Sequence, residues 1–261
     1  MSVRRVLTFV VPPAIVGLAF LALWELIVRG FDLKPYFLPA PSAIAEAFVD
    51  NLEQVTDATL QSGSNALVGL IAGTLLGIAA SFLLMRFRVV NELATPLAVA
   101  LNAIPIIVLV SVFNNMFSST TEVPRRLMVT LIVFFIVLVN VAKGLRQVQP
   151  THLELLRSYA ASPAQVLVKA RIPNAVPYLF TALKISAPTA VITAFVAEYF
   201  GGRQNGLGSR ITSSFANSRN AAAWAYVIGA CVLGLTFYLV SIALENITTH
   251  RRGAAPGGAT T

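Results

Sequence analysis

The sequence predicts an all-α, polytopic membrane protein, and three observations carry that prediction. Of 261 residues, 56% are apolar and only 11% are charged, where an ordinary soluble domain has roughly a quarter charged. Mean hydropathy is +0.76, so too few polar side chains are present to coat a surface facing water. The apolar residues also gather into runs of about 20, the length that crosses a bilayer as a helix. The same composition excludes a disordered chain. One cysteine, Cys231, rules out an intrachain disulfide or a thiolate metal cluster. Two histidines, His152 and His250, leave little for a zinc or haem site. No cofactor is expected.

Six runs are long enough to span. The first is 6–28. Arg4 and Arg5 precede it as in a signal peptide, but it is longer than a typical signal core and no A-x-A pattern follows, so it reads as a retained helix. The second is 66–85, where Gly69, Gly73 and Gly77 recur every four residues. That spacing lets helices approach closely, within one chain or between two. The third, 97–117, is interrupted by Asn102, Pro105, Asn114 and Asn115. The fourth is 127–141, extendable to 145. The fifth, 176–200, contains Lys184, Pro188 and Glu198. The sixth is 224–244.

With the N-terminus in the cytoplasm, the inner segments hold 11 Lys and Arg and the outer segments 7. That bias places both termini inside. The net charge of +8 is accounted for by basic loops beside anionic lipid, and no nucleic-acid partner is expected. The predicted organisation is one transmembrane domain over 1–252 and a disordered tail over 253–261.

Two connections look structured. In the outer segment, Leu38-Pro39-Ala40-Pro41-Ser42 is extended around its prolines, and Ser42 is suited to cap a helix. Ile44, Phe48, Leu52 and Val55 then form one apolar stripe. This helix lies at the interface or packs on other spans, and the spacing leaves both open. Glu25 beside Trp24 reads as an interfacial anchor. In the inner segment, Leu153, Leu156, Ala160 and Ala161 share a helical face. Ser162-Pro163 breaks that helix and starts another, with Ser162 as N-cap and Pro163 at the first position. Ile172-Pro173 is expected to end the second helix before the fifth span.

This inner helix–turn–helix loop, about residues 146–173, resembles the coupling loop of ABC importer permeases. The family pattern is Glu-Ala-Ala, three residues, Gly, then a hydrophobic-x-hydrophobic-Pro ending. Here it reads Glu154-Leu155-Leu156, Arg157-Ser158-Tyr159, Ala160, and closes at Ala170-Arg171-Ile172-Pro173 with Pro177 beyond. Leucines replace both alanines, and Ala160 replaces the glycine. Alanine preserves a close approach, but it would serve a positive φ poorly. Leu38-Pro39-Ala40-Pro41, Ile104-Pro105, Phe134-Phe135 with Asn140 and Gly144, and Ala197-Glu198 with Gly206-Leu207-Gly208 are similar to the nitrate, sulfonate, taurine and thiamine-precursor branch. Ile136 stands where the branch has proline. Residues 112–117 lack the Trp-Phe-Gly that sulfonate members carry, which tilts the expectation towards pyrimidine-like heterocycles.

The resemblance implies a type I importer permease (MetI-like) fold in a bacterial inner membrane. It implies a second permease chain, two cytoplasmic ATPase chains and an extracytoplasmic binding protein as partners. The chain itself would be no enzyme, and it lacks the G-x-x-x-x-G-K-[ST] nucleotide motif. Coupling to the ATPase would fall to Glu154, Arg157, Tyr159, Ala160, Ala161, Ser162 and Pro163. Glu154 and Arg157 are neighbours on a helix and would pair with each other or with the ATPase. Replacing Glu154 by Lys, or Ala160-Ala161 by glycines, is expected to uncouple hydrolysis from transport.

Asn102, Pro105, Asn114, Asn140, Lys184 and Glu198 are candidates for the translocation path, since polar and ionisable groups in spans are functional candidates by default. For the asparagines the alternative is interhelical hydrogen bonding. For Lys184 it is snorkelling, and for Glu198 a pair with Arg203 or a partner chain. Two other classes compete. An ion-gradient-driven secondary transporter would show inverted repeats and buried acids. A membrane enzyme would need a nucleophile–base or metal set. Neither has a use for the structured inner loop.

Overall fold

A computed structural model describes residues 3–86, 105–118 and 120–250. Every regular element among them is helical. In order they are α1 (Val3–Gly30), α2 (Pro41–Asp50), α3 (Leu52–Arg86), α4 (Ile106–Met116), α5 (Val123–Arg146), α6 (Pro150–Ser158), α7 (Pro163–Val166), a π turn (Leu167–Arg171), α8 (Ile172–Tyr199), α9 (Leu207–Ala216) and α10 (Asn220–His250). Five stretches are long and apolar enough to span: Val11–Gly30, Leu52–Met85, Val123–Arg146, Pro163–Tyr199 and Asn220–Thr248. They correspond to the first, second, fourth, fifth and sixth expected runs. Of the third run, the described residues contain only the 11-residue α4. Asn102, the rest of that run and the 253–261 tail lie outside the described residues.

The core is built from α3, α5 and α8, with α9 and α10 against it. The α3–α5 contact is set by the glycine ladder. A Cβ on Gly73 would lie 2.6 Å from the Thr130 carbonyl oxygen and 2.7 Å from Val133 Cβ; on Gly77 it would lie 2.9 Å from the Phe134 oxygen and Val137 Cβ. Gly69 faces Val129 in the same way. Two rows with a period of four interlock, so the glycines pack within the chain. Gly144 repeats this device between α5 and α8, where a Cβ would come within 2.8 Å of Ala175 Cα and the Tyr178 ring.

Several boundaries differ from expectation for identifiable reasons. The second span begins at Leu52, because polar Ser62 and Asn65 are buried at helical positions and do not interrupt the helix. The apolar stripe of α2 bends at Asn51, which leaves Ile44 and Val55 buried but Leu52 half exposed. Of the two open placements for α2, the structure selects packing on α10. Ser42 does not cap α2 through its side chain. Ala40 is the N-cap residue, and Glu25 of α1 reaches over to accept from the Ser42 backbone N–H (3.0 Å) and hydroxyl (2.8 Å). Arg29 holds that carboxylate at 2.6 Å. Trp24 meets Trp224 of α10 edge to face at 5.4 Å. Pro105 precedes α4 as its N-cap residue, so it starts this helix and does not kink it. Ile172-Pro173 does not end a helix. The π turn places the Ile172 N–H on the Leu167 carbonyl, and α7 runs through it into α8. A π turn shifts the hydrogen-bond register by one residue, which accommodates a proline that has no N–H of its own.

Candidate functional site

The polar groups collect at the two ends of the bundle. At one end, α6 and α7 form a hairpin between α5 and α8. Pro150 opens α6, since an N1 proline needs no hydrogen-bond partner. Its C-terminus closes through two backbone bonds, Ala160 N–H to the Arg157 oxygen (2.9 Å) and Ala161 N–H to the Leu156 oxygen (3.0 Å). This is a Schellman closure with Ala160 at the left-handed position, φ 49°. Ala160 and Ala161 therefore lie past the helix and do not extend the face of Leu153 and Leu156. Ser162 then caps α7 reciprocally: Gln165 N–H donates to its hydroxyl at 3.3 Å, and its own N–H donates to Gln165 Oε1 at 2.8 Å. Pro163 takes the first helical position.

The hairpin tip is exposed. Leu155 and Tyr159 stand 55% and 76% accessible, and Glu154, Arg157, Ala160, Ser162 and Pro163 are also exposed. Glu154 and Arg157 do not pair with each other. Arg157 and Arg171 instead flank an open cleft of about 520 Å³ floored by Met85, Leu153, Val166 and Leu167. The root is tied. Asn174 donates to the Gly144 (2.7 Å) and Gln147 (3.2 Å) carbonyls, and Tyr178 Oη to Gln147 Oε1 (2.9 Å). The end of α5 and the start of α8 thus meet in one joint, with the hairpin projecting from it.

At the other end lies a buried network. Glu198, at the end of α8, is fully buried. Its Oε2 accepts from Ser62 Oγ at 2.6 Å and from the Gly208 N–H at 3.3 Å, and Oε1 from Asn65 Nδ2 at 3.4 Å. Asn65 also donates to Glu122 Oε2 at 2.9 Å. Arg125, 2% exposed, donates to Glu122 (2.7 Å), to Asn205 Oδ1 (2.9 Å) and to the Arg203 carbonyl. Arg203 pairs with Glu122 at 3.6 Å, not with Glu198. Burial alone would push the Glu122 carboxyl up, but the Asn205 hydrogen bond, the Arg125 charge and the Asn65 hydrogen bond hold it below its ordinary value.

The remaining sequence-selected residues are dispersed. Lys184 pairs with Glu245 of α10 at 2.9 Å, so two ionisable groups within spans neutralise each other there. Asn140 donates to the Ile136 carbonyl of its own helix at 2.8 Å. Asn114 lies on α4 facing Gly201. Ser62, Asn65, Glu122, Arg125 and Asn205 were not selected from the sequence, where Arg125 counted only as an outer loop cation. The available signal was spacing: Ser62 and Asn65, like Glu122 and Arg125, are three apart and share a helical face.

Residues 69–252 match the family model described as binding-protein-dependent transport system inner membrane component. The chain is 30% identical over 240 residues to the formylaminopyrimidine transport permease protein ThiX of Halalkalibacterium halodurans, covering 90% of this chain and 93% of that protein. It is 28% identical over 197 residues to a probable ABC transporter permease protein of Haemophilus influenzae (76% and 79%). It is 24% identical over 234 residues to the taurine transport system permease protein TauC of Escherichia coli (87% and 83%). Among solved structures, a chain of the MetNI methionine ABC transporter in an inward-facing conformation matches with a TM-score of 0.50 at 20% identity, covering 78% of this chain and 95% of that one.

Proposed function

This chain belongs to the family of binding-protein-dependent transport system inner membrane components, and on that premise we propose how it works within an ABC importer. It is a multi-pass inner-membrane permease and no enzyme; family membership displaces the secondary-transporter and membrane-enzyme readings. Residues 1–252 act as one permease domain. Two such chains, identical or related, form the path, two ATPase chains sit on the hairpin side, and an extracytoplasmic binding protein delivers substrate at the opposite end. The hairpin and both termini face the cytoplasm, which the 11 to 7 distribution of Lys and Arg supports.

The observation that carries the mechanism is the α6–α7 hairpin, whose apolar tip is exposed while its root is bonded to two spans at once. A rigid projection tied to α5 and α8 moves both when its tip is moved. An exposed tip of Leu155 and Tyr159 beside Glu154 and Arg157 suits a groove on a partner protein. ATP-driven closure of the ATPase pair would pull the tips together, and the joint at Gly144, Gln147, Asn174 and Tyr178 would pass that motion to the spans. The turn at Ala160, Ala161, Ser162 and Pro163 sets the direction of the tip.

The substrate is a small polar nutrient. The similarity to a formylaminopyrimidine permease, together with the missing Trp-Phe-Gly, supports a pyrimidine-like heterocycle ahead of nitrate, sulfonate or taurine. Asn102, Asn114 and the α4 start at Pro105 remain the residues proposed near the path. Asn140, Lys184 and Glu198 bond within the chain, and we assign them to packing.

The test is affinity purification of the tagged chain from its membrane in mild detergent. We expect an ATPase subunit to co-purify, and Glu154→Lys to weaken its recovery and to abolish transport without affecting membrane insertion. Transport and recovery unchanged by Glu154→Lys would overturn the coupling assignment. Uptake of labelled formylaminopyrimidine against taurine decides the substrate class.

A further inference from the structure

The cleft between the hairpin and the end of α3 has no role in the mechanism so far. Its two cations come from separate elements, Arg157 from α6 and Arg171 from the π turn, over an apolar floor of Met85, Leu153, Val166 and Leu167. The π turn aims Arg171. Four residues overshoot an α turn of about 3.6 residues and undershoot the wider π turn. The two drifts oppose, so Pro163, Leu167 and Arg171 all line the cleft. Neither guanidinium has an ion pair or hydrogen bond among the described residues. Glu154 is the one acid between Glu122 and Glu198, and it is not among the described residues that line the cleft.

The position of the cleft narrows what can fill it. Met85 is the last residue of one span, and Pro163–Arg171 open another, so the cleft sits where hydrocarbon gives way to headgroups. On α6 it is lined by Leu153 and Arg157, four residues apart. Leu155 and Tyr159, the apolar tip assigned above to the ATPase, are displaced from that pair by two residues, about half a turn, and lie on the opposite side of the helix. A soluble anion would satisfy the arginines and leave the floor bare. An acyl chain alone would leave two charges unpaired beside hydrocarbon. A phospholipid with net negative charge meets both demands, since guanidinium forks match phosphate oxygens and the chain covers the apolar floor. The cytoplasmic leaflet is rich in such lipids.

We propose that the cleft binds one anionic phospholipid of the inner leaflet, with its phosphate between Arg157 and Arg171 and its upper acyl chain on Met85, Leu153, Val166 and Leu167. The lipid bridges the end of α3 to a hairpin whose root is bonded to α5 and α8. The assignment to the inner leaflet rests on the importer orientation above.

The experiment uses the full chain with its co-purifying subunits in mild detergent. The probe is dioleoyl phosphatidylglycerol, with bound lipid read by native mass spectrometry and stability by the melting temperature. Phosphatidylglycerol should bind and raise the melting temperature, and phosphatidylcholine with the same chains should do neither. Arg171→Gln should weaken binding about tenfold and remove the rise. Without lipid it should melt as the wild type does, because this side chain has no bond to lose. Lys169→Gln, exposed on the same turn but outside the cleft, should bind as the wild type does. Equal losses in both variants mean diffuse surface charge and overturn the site. Displacement of the lipid by millimolar inorganic phosphate, or equal affinity for dihexanoyl phosphatidylglycerol, means a soluble-anion site and overturns the lipid assignment. Binding seen only after the ATPase is stripped away gives the cleft to that subunit and overturns the proposal. No binding in a complex that retains its ATPase overturns this inference and leaves the importer reading intact. A chain that binds the lipid but never recovers an ATPase upholds the site and overturns the importer reading.

Discussion

Ala160 adopts φ 49°, a conformation that costs an L-residue roughly 1–2 kcal/mol and glycine almost nothing. The family's glycine at this position is thus explained by the Schellman turn, and the chain tolerates alanine because two backbone bonds hold the turn closed. Ala160→Gly is expected to stabilise the hairpin turn by about 1 kcal/mol or less, since the gain in the fold is offset by a more flexible unfolded chain. A melting measurement in detergent checks the sign. Glycine at 160 is therefore no test of coupling, contrary to the expectation from the sequence, where this position was placed on a helical face. Glu122 makes a second residue-scale prediction. Its carboxyl is held below the ordinary value of 4.5, so its contribution to stability is complete above that value and is lost as pH falls through the depressed one. The thermal midpoint should drop on acidification through that window, and Glu122→Gln should lower the midpoint at neutral pH while removing that share of the pH dependence.

At the scale of elements, the glycine ladder of α3 was legible as a period of four, but its partner was not. Val129, Val133 and Val137 of α5 carry the matching period, and only the fold brings the two rows together. Gly73→Ala puts a methyl against backbone at 2.6 Å, which neighbouring side chains cannot relieve by rotating. The expected cost is about 1–3 kcal/mol, read as a lower melting temperature. Gly17→Ala, inside α1 with open space around it, is the control and should not lower the melting temperature, since alanine is the better helix former. The α6–α7 hairpin was read correctly as two helices around Ser162-Pro163, since capping residues act locally. Helix α9 was missed because Leu207 and Ile211 give too short an apolar repeat, and its cap comes from residues 62 and 198.

At the scale of the whole molecule, the hairpin and α9 occupy opposite ends of a bundle whose α5 alone is 24 residues long, about 36 Å at 1.5 Å per residue. If the bundle spans the membrane as its composition requires, the two ends lie in different compartments. In a Cys231→Ser background, Tyr159→Cys and Arg219→Cys should react with an impermeant thiol reagent from opposite faces of sealed vesicles. Labelling of both from one face would overturn the topology. The candidate site divides along the same axis. The hairpin was visible in the sequence by its motif, whereas the network around Glu122, Arg125 and Glu198 was not, because partners such as Ser62 and Glu198 lie 136 positions apart.

Membership in the membrane class, five of the spans and the turn chemistry of the hairpin follow from composition, run length and capping residues, which act over a few neighbours or a single helix. Only the tertiary structure decided that Lys184 pairs with Glu245, that Glu198 caps α9 and that Arg125 is buried. A charged side chain in a low-dielectric interior is tolerated only beside its partner, and distance along the chain does not reveal which partner the fold will supply.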